Sequence, residues 1–120
     1  MTRHQNFTSD ELAVITQGPG FLHDQSEREC PGCGRTSVRS YVRKSVRAGH
    51  PSLVKYTWCA SCGRFAGSTG AYPRGLTIYD RWQKAEPDDW KEFDLSLTRM
   101  FRRLDRLWQM GVLPQRFGWE

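Results

Sequence analysis

The chain has 120 residues and a formal net charge of +5, and 38% of its residues are hydrophobic. This length suits one domain, residues 1–120, with a small core, because chains of this size bury only about two thirds of their unfolded surface. No stretch approaches the roughly 18 apolar residues of a membrane span, and residues 1–10 lack the pattern of a secretion signal. We therefore expect a cytoplasmic protein without a membrane partner, in a compartment where thiols stay reduced.

The N-terminal segment, residues 8–29, is predicted to be a short helix followed by a polar connector. Thr8 or Ser9 can cap the helix, and the acidic residues that follow the cap favour its positive end. A cluster of glycine and proline at 18–20 then ends the helix. The connector leads to the first of two cysteine pairs.

Residues 30–68 are predicted to form a metal-centred unit around the two cysteine pairs. Cys30 and Cys33 make the first pair, Cys59 and Cys62 make the second, and a glycine follows each pair. Two thiolates three positions apart can hold one ion in a tight turn, and the glycine allows the positive φ that such a turn needs. Two such turns joined by a hairpin complete a tetrahedral site of four cysteines.

The sequence between the pairs predicts a β-hairpin whose first strand, 38–46, alternates between two faces. The apolar face consists of Val38, Val42 and Val46. The basic face consists of Arg39, Tyr41, Arg43 and Arg47. A turn at 48–52 leads to a second strand at 53–58, and a third short strand is expected at 64–66. Residues 67–75, rich in glycine, are expected to be a loop.

The C-terminal segment, residues 76–120, is predicted to contain a long helix from about Pro87 to Met110. An apolar stripe with a 3-4-3-4-3 spacing runs along this helix. The stripe consists of Trp90, Phe93, Leu97, Met100, Leu104 and Leu107. It either packs in the core or forms a seam for a partner, since the spacing also fits coiled-coil heptads. The tail 112–120 is apolar enough to join either role, and the oligomeric state stays open.

The four cysteines allow several chemical interpretations. One structural zinc ion fits a closed set of four thiolates, and iron suits the same tetrahedral sulfur cage. Two disulfides would need an oxidising compartment, and a redox-active pair would need a βαβ pattern beside it. The sequence indicates neither, so we predict one structural Zn²⁺. Because four cysteines fill the coordination of the ion, no position is left for a substrate, and we predict that the protein is not an enzyme.

The cysteine motifs resemble those of the zinc-ribbon superfamily. The resemblance rests on Cys30-Pro31-x-Cys33-Gly34 and Cys59-x-x-Cys62-Gly63, with the strand pattern between them. It implies a zinc-clasped β-hairpin or three-stranded antiparallel sheet. With a short N-terminal helix and a long amphipathic C-terminal helix, the predicted class is small α+β. Zinc ribbons occur in transcription factors, ribosomal proteins, polymerase subunits and protein-docking modules, so the resemblance leaves the function open.

The stretch from Cys30 to Tyr79 contains no acidic residue, since all 13 Asp and Glu residues lie outside it. Part of its positive charge compensates the negative cysteine cage, which accounts for Arg35 and Arg64. The remaining candidates for contact with a partner are Arg39, Tyr41, Arg43, Lys44, Arg47 and Lys55. A basic strand with an interleaved aromatic suits phosphate contact and base stacking, but also an acidic protein surface or a merely solvated face.

Two kinds of partner therefore stay under consideration. The leading hypothesis is contact with nucleic acid, or with a nucleic-acid machine, through the basic hairpin. The alternative is a dedicated protein-binding module that uses the C-terminal helix and tail, such as the toxin-immunity proteins, inhibitors or assembly regulators of bacteria. The five tryptophans favour this alternative, because Trp is a common interface anchor.

Overall fold

The computed structural model describes residues 5–79 and 97–120, except for the side chain of Arg47. The chain packs into two compact units, Met1–Tyr72 and Pro73–Glu120. Its described residues contain a multi-strand sheet and two helices, which confirms the small α+β class. The prediction of one domain over residues 1–120 stays a prediction.

The first unit contains a five-stranded sheet. Its strands are β1 (Gln5–Asn6), β2 (Arg28–Glu29), β3 (Thr36–Arg47), β4 (His50–Cys59) and β5 (Arg64–Ala71). In space they follow the order β1-β5-β4-β3-β2, with β1 parallel to β5 and the other pairs antiparallel. The predicted hairpin and third strand thus form the centre of the sheet. The two-residue strands at its edges were not predicted, because they are too short to show a periodicity.

The hairpin turn is tighter than the sequence predicts. Arg47 pairs with His50, so the turn contains only Ala48 and Gly49 rather than residues 48–52. These two residues have φ values of 51° and 76°. Two successive positive φ values are typical of a type I′ turn, which matches the twist of the strands in a two-residue hairpin. Strand β4 therefore begins immediately after the turn.

The third strand is longer than the predicted range 64–66. Strand β5 continues to Ala71 and pairs with Ser52–Trp58 of β4, so most of the expected loop at 67–75 is strand. Glycine has a weak intrinsic preference for strands, but strand propensity depends strongly on the neighbouring strand. Pairing with β4 therefore outweighs the glycine content of this segment.

Helix α1 (Ser9–Ile15) has the predicted N-cap. The side chain of Thr8 accepts a hydrogen bond from the Glu11 N–H, and the Glu11 carboxylate accepts one from the Thr8 N–H. This reciprocal capping box satisfies two N–H groups that the helix itself leaves without partners. The helix contributes to a core cluster that consists of Phe7, Ile15, Phe21, Cys30, Val38 and Cys59. The helix and the cysteine turns therefore share one core.

The second unit combines a two-stranded sheet with a helix. Strand β6 (Leu76–Tyr79) pairs antiparallel with strand β7 (Arg116–Trp119). The sequence left the segment after Gly75 undecided between strand and helical turn, and its described part is a strand. Part of the tail forms strand β7, and each of the four residues of β7 has a pairing partner in β6.

Helix α2 (Leu97–Gln109) is the described part of the predicted C-terminal helix. Met100 and Leu104 of the predicted apolar stripe are buried, and so is Phe101, which agrees with a role in the core. The predicted start near Pro87 and the rest of the range up to residue 96 lie outside the described residues. Within 5–79 and 97–120, no helix combines the length and apolar character that crossing a membrane requires.

Candidate metal centre

Two turns bring the four cysteines together. The first turn follows β2 and carries Cys30 and Cys33, and the second joins β4 to β5 and carries Cys59 and Cys62. All four sulfur atoms lie within 4.8 Å of one another. The Cys30 and Cys62 sulfurs are 3.7 Å apart, and the Cys33 and Cys59 sulfurs are 3.6 Å apart. The structure therefore confirms that the four cysteines cluster within metal-binding distance.

The backbone of each turn has the shape that the motif predicts. The N–H of Gly34 donates to the carbonyl of Cys30 at 2.7 Å, and the N–H of Gly63 donates to that of Cys59 at 3.0 Å. The two glycines have φ values of 77° and 80°, in the left-handed region that disfavours other residues. The glycine after each cysteine pair is therefore required by the turn.

The sulfur geometry fits one tetrahedral ion. Zinc–sulfur bonds of about 2.3 Å place four sulfurs at the corners of a tetrahedron with edges of about 3.8 Å. Two of the sulfur–sulfur distances, 3.6 and 3.7 Å, are close to this value, whereas a disulfide bond is about 2.05 Å long. All four cysteines are free thiols. They can therefore coordinate one metal ion, and a set of four thiolates suits zinc.

The two buried cysteines differ in how readily they lose a proton. Burial raises the pKa of Cys30 to about 12. Burial also opposes ionisation of Cys59, but a hydrogen bond with the Ser37 hydroxyl and hydrogen bonds from the Cys62 and Ser61 N–H groups lower its pKa to about 7. Metal binding requires the deprotonated thiol. Cys59 is therefore closer to its metal-binding form at neutral pH than Cys30.

Arg64 lies directly beside the sulfur cluster. Its Nη1 donates to the Cys62 sulfur at 3.2 Å, and this hydrogen bond is the main reason why the pKa of Arg64 is raised. Its Nε lies 3.4 Å from a carboxylate oxygen of Glu11. A Cβ on Gly32 would lie 2.5 Å from the guanidinium carbon, so glycine makes room for the arginine here. The position agrees with the predicted compensation of the cage charge by Arg64. Glu11 gave no sequence signal beyond its place in the helix cap.

The predicted contact residues are divided between the two faces of the sheet. Cross-strand pairs share a face, so Arg39, Tyr41 and Arg43 lie with Trp58, Tyr56 and Val54. Lys44 faces Leu53 and Lys55 faces Val42, which places both lysines on the opposite face. Arg47 has a register position on the arginine face, opposite His50. The six residues therefore do not form a single surface.

The face of Tyr41 is largely core. Tyr41 is 0% exposed, and its neighbours Tyr56 and Trp58 are 8% and 1% exposed. Alternation along a strand predicts which residues share a face, but it does not predict what covers that face. The burial leaves Tyr41 without the exposed ring that base stacking needs.

The cations of the two faces differ in their partners. The Arg39 side chain is 16% exposed, and its Nε is 3.0 Å from a carboxylate oxygen of Glu27. The half-buried Arg43 donates from Nε to the Tyr56 hydroxyl at 3.2 Å. Lys44 is exposed, with its Nζ 4.8 Å from the centre of the Tyr72 ring. Among residues 5–79 and 97–120, no carboxylate forms an ion pair with Lys44 or with the half-buried Lys55.

Comparisons of the chain with protein-family models, with curated proteins and with solved structures find no match. The interpretation of the centre therefore depends on its geometry and on the chemistry of its residues.

Proposed function

We propose that this chain is a non-catalytic, zinc-stapled module that binds nucleic acid through its phosphate backbone. The four cysteines would hold zinc as a structural cross-link, with no coordination position left for a substrate. The observation that carries the binding function is the absence of any carboxylate between Cys30 and Tyr79, the stretch that supplies β3, β4 and β5. A surface of this sign attracts polyanions.

Two carboxylates near this sheet are paired with arginines. Glu27 pairs with Arg39, and Glu11 pairs with Arg64 beside the cysteines. Lys44 and Lys55 lie on the face of the sheet opposite to Arg39, which we call the lysine face. They are diagonal neighbours on β3 and β4, so their Cα atoms are roughly 7–8 Å apart. We assign the phosphate contacts to these two lysines rather than to the paired Arg39.

The buried aromatics favour one mode of binding. Single-stranded nucleic acid is usually held by stacking its bases on exposed aromatic side chains. The large aromatics of β3 and β4, Tyr41, Tyr56 and Trp58, are all buried. Phosphate contacts from lysine need no unstacked base, so a duplex is the expected ligand. Such binding depends on salt and reads little sequence.

Charge reversal of the two lysines is expected to weaken this binding. Each lost phosphate contact reduces the slope of log affinity against log salt concentration by roughly 0.9 for duplex DNA. The double variant Lys44→Glu/Lys55→Glu should therefore lower the slope by about 2 and lower the affinity at every salt concentration. The measurement is fluorescence anisotropy of a labelled random-sequence duplex titrated with the zinc-loaded protein across a salt series.

The matched control is Arg102→Glu/Arg106→Glu, which makes the same change of net charge at two exposed residues of α2. This variant should keep the salt slope of the wild-type protein. An equal loss in both double variants would mean that overall charge, rather than the lysine face, attracts the duplex. Absence of binding by the wild-type protein at low salt would contradict the nucleic-acid function itself.

A protein partner is the second candidate, and the exposed apolar residues of the second unit favour it. Met110, Tyr79, Trp119 and Val112 are 67%, 59%, 46% and 45% exposed. Exposed Trp and Tyr are common anchors of protein interfaces. If this candidate applies, a tagged protein retains one specific partner in high salt, and Trp119→Ala releases that partner. Retention by the Trp119→Ala variant would count against this surface.

A further inference from the structure

We propose that Arg64 connects the metal centre to helix α1, so that metal affinity and docking of the helix depend on each other. The inference rests on the fit of the four cysteines to a metal ion. It does not depend on whether the protein binds nucleic acid, because neither Lys44 nor Lys55 takes part in the connection.

The first half of the connection joins Arg64 to a metal ligand. The guanidinium donates to the Cys62 sulfur at 3.2 Å, and the missing side chain of Gly32 allows it to lie against the first cysteine turn. Hydrogen bonds from arginine to an anionic acceptor are charge-assisted and stronger than neutral ones. Outer partners of this kind orient a metal ligand and tune its affinity. Arg64 thus touches both cysteine turns.

The second half joins Arg64 to the start of the helix. Its Nε lies 3.4 Å from one oxygen of Glu11, whose other oxygen accepts the Thr8 N–H at 2.9 Å. A single carboxylate therefore closes the capping box and holds the arginine. The side chains of Arg64 and Glu11 are 29% and 18% exposed, so water screens this pair less than it screens a fully exposed one.

The opposite end of α1 is held by a different arginine, which donates to backbone carbonyls. Arg28 donates to the carbonyls of Ile15 at 2.7 Å and Pro19 at 2.6 Å, and its guanidinium carbon lies 3.8 Å from the centre of the Phe21 ring. Both ends of the helix are thus held by arginines from the sheet. Arg28→Ala is therefore a control that loosens the helix without removing the hydrogen bond from Arg64 to the Cys62 sulfur.

Zinc affinity of the full-length protein, measured by competition with a chromophoric chelator, tests the contact between Arg64 and the metal centre. Arg64→Lys keeps the positive charge but cannot reach both partners with a planar fork, so it should weaken zinc binding at least 10-fold, as loss of an outer partner typically does. Glu11→Gln keeps a capping-box residue but removes the ion pair, and it should weaken zinc binding about two- to five-fold. The double variant Arg64→Lys/Glu11→Gln should bind zinc as tightly as Arg64→Lys alone, because Glu11 acts on the metal centre through Arg64. Unchanged affinity in Arg64→Lys, or additive losses in the double variant, would overturn the proposal.

Hydrogen exchange of the zinc-saturated variants tests the contact between Arg64 and helix α1. The amides of Leu12 and Thr16, which donate to the carbonyls of Thr8 and Leu12, should exchange faster in Arg64→Lys and Glu11→Gln than in the wild-type protein. Arg28→Ala should also accelerate this exchange, but it should leave zinc affinity within about two-fold, since Arg28 donates to the carbonyls of Ile15 and Pro19 and its removal leaves the Arg64–Cys62 hydrogen bond in place. If Arg28→Ala weakens zinc binding as much as Glu11→Gln does, the shared core rather than Arg64 makes the connection. That result, or unchanged exchange in Arg64→Lys, would overturn the proposal.

Discussion

Replacement of Cys59 by serine is expected to unfold the first unit of the protein. Cys59 is 1% exposed, belongs to the core cluster and is one of four sulfurs within 4.8 Å of one another. A structural zinc site contributes on the order of 10 kcal/mol to the folding of a small domain. This is comparable to the whole stability of a typical domain, about 5–15 kcal/mol, so the remaining contacts are not expected to keep the sheet folded. Circular dichroism and thermal unfolding, recorded with zinc and with a chelator, measure the effect.

Ala60→Ser is the control for this prediction. It introduces the same hydroxyl group at an exposed position of the same turn, next to Cys59. Surface substitutions of this kind change stability by less than about 0.5 kcal/mol. The control should therefore unfold at the wild-type temperature. A Cys59→Ser protein that keeps its native spectrum and thermal stability without metal would show that the cysteine cluster does not stabilise the fold.

Tyr41→Ala is expected to destabilise the protein by about 3–5 kcal/mol, the usual cost of removing a buried aromatic side chain. Tyr41 has no exposed surface, and its strand neighbour Tyr56 is also buried, so the truncation leaves a cavity. The measurement is urea denaturation of the zinc-loaded protein. In the absence of denaturant, the proposed duplex binding should be equal in the folded variant and in the wild-type protein, because the Tyr41 ring is buried.

Val46→Ala on the same strand is the matched comparison. Val46 is 61% exposed, so its truncation should change the free energy of unfolding by less than about 0.5 kcal/mol. If Tyr41→Ala costs no more than Val46→Ala but weakens binding of nucleic acid, the ring is a contact residue and not part of the core. The two variants together therefore separate the structural role of Tyr41 from the stacking role that the alternation of strand β3 predicts.

The parts of the fold that the sequence predicts are those that short-range patterns determine. The spacing of two residues within each cysteine pair, followed by glycine, specifies a turn whose φ values and hydrogen bonds are local. The capping box of α1 is likewise contained within Thr8 and Glu11. Alternation between Val38 and Arg43 correctly predicts which side chains share a face of β3.

The parts that the sequence does not predict depend on residues far apart in the chain. Strand β5 extends to Ala71 because β4 pairs with it, which its own glycines do not indicate. Glu27 forms an ion pair with Arg39, and no sequence motif connects the two residues. The contact of Arg64 with Glu11 also arises only when the sheet brings β5 beside α1. Ion pairs and packing between residues far apart in the chain therefore determine which cations remain available to a partner.

The most direct test of a metal-stapled fold is the metal content of the purified full-length chain, measured by elemental analysis and followed by circular dichroism during chelation. The geometry of the four sulfurs predicts one zinc ion per chain and loss of the native spectrum when the ion is removed. A chain that contains no metal and keeps its native spectrum in the chelator would contradict a structural metal centre at these cysteines.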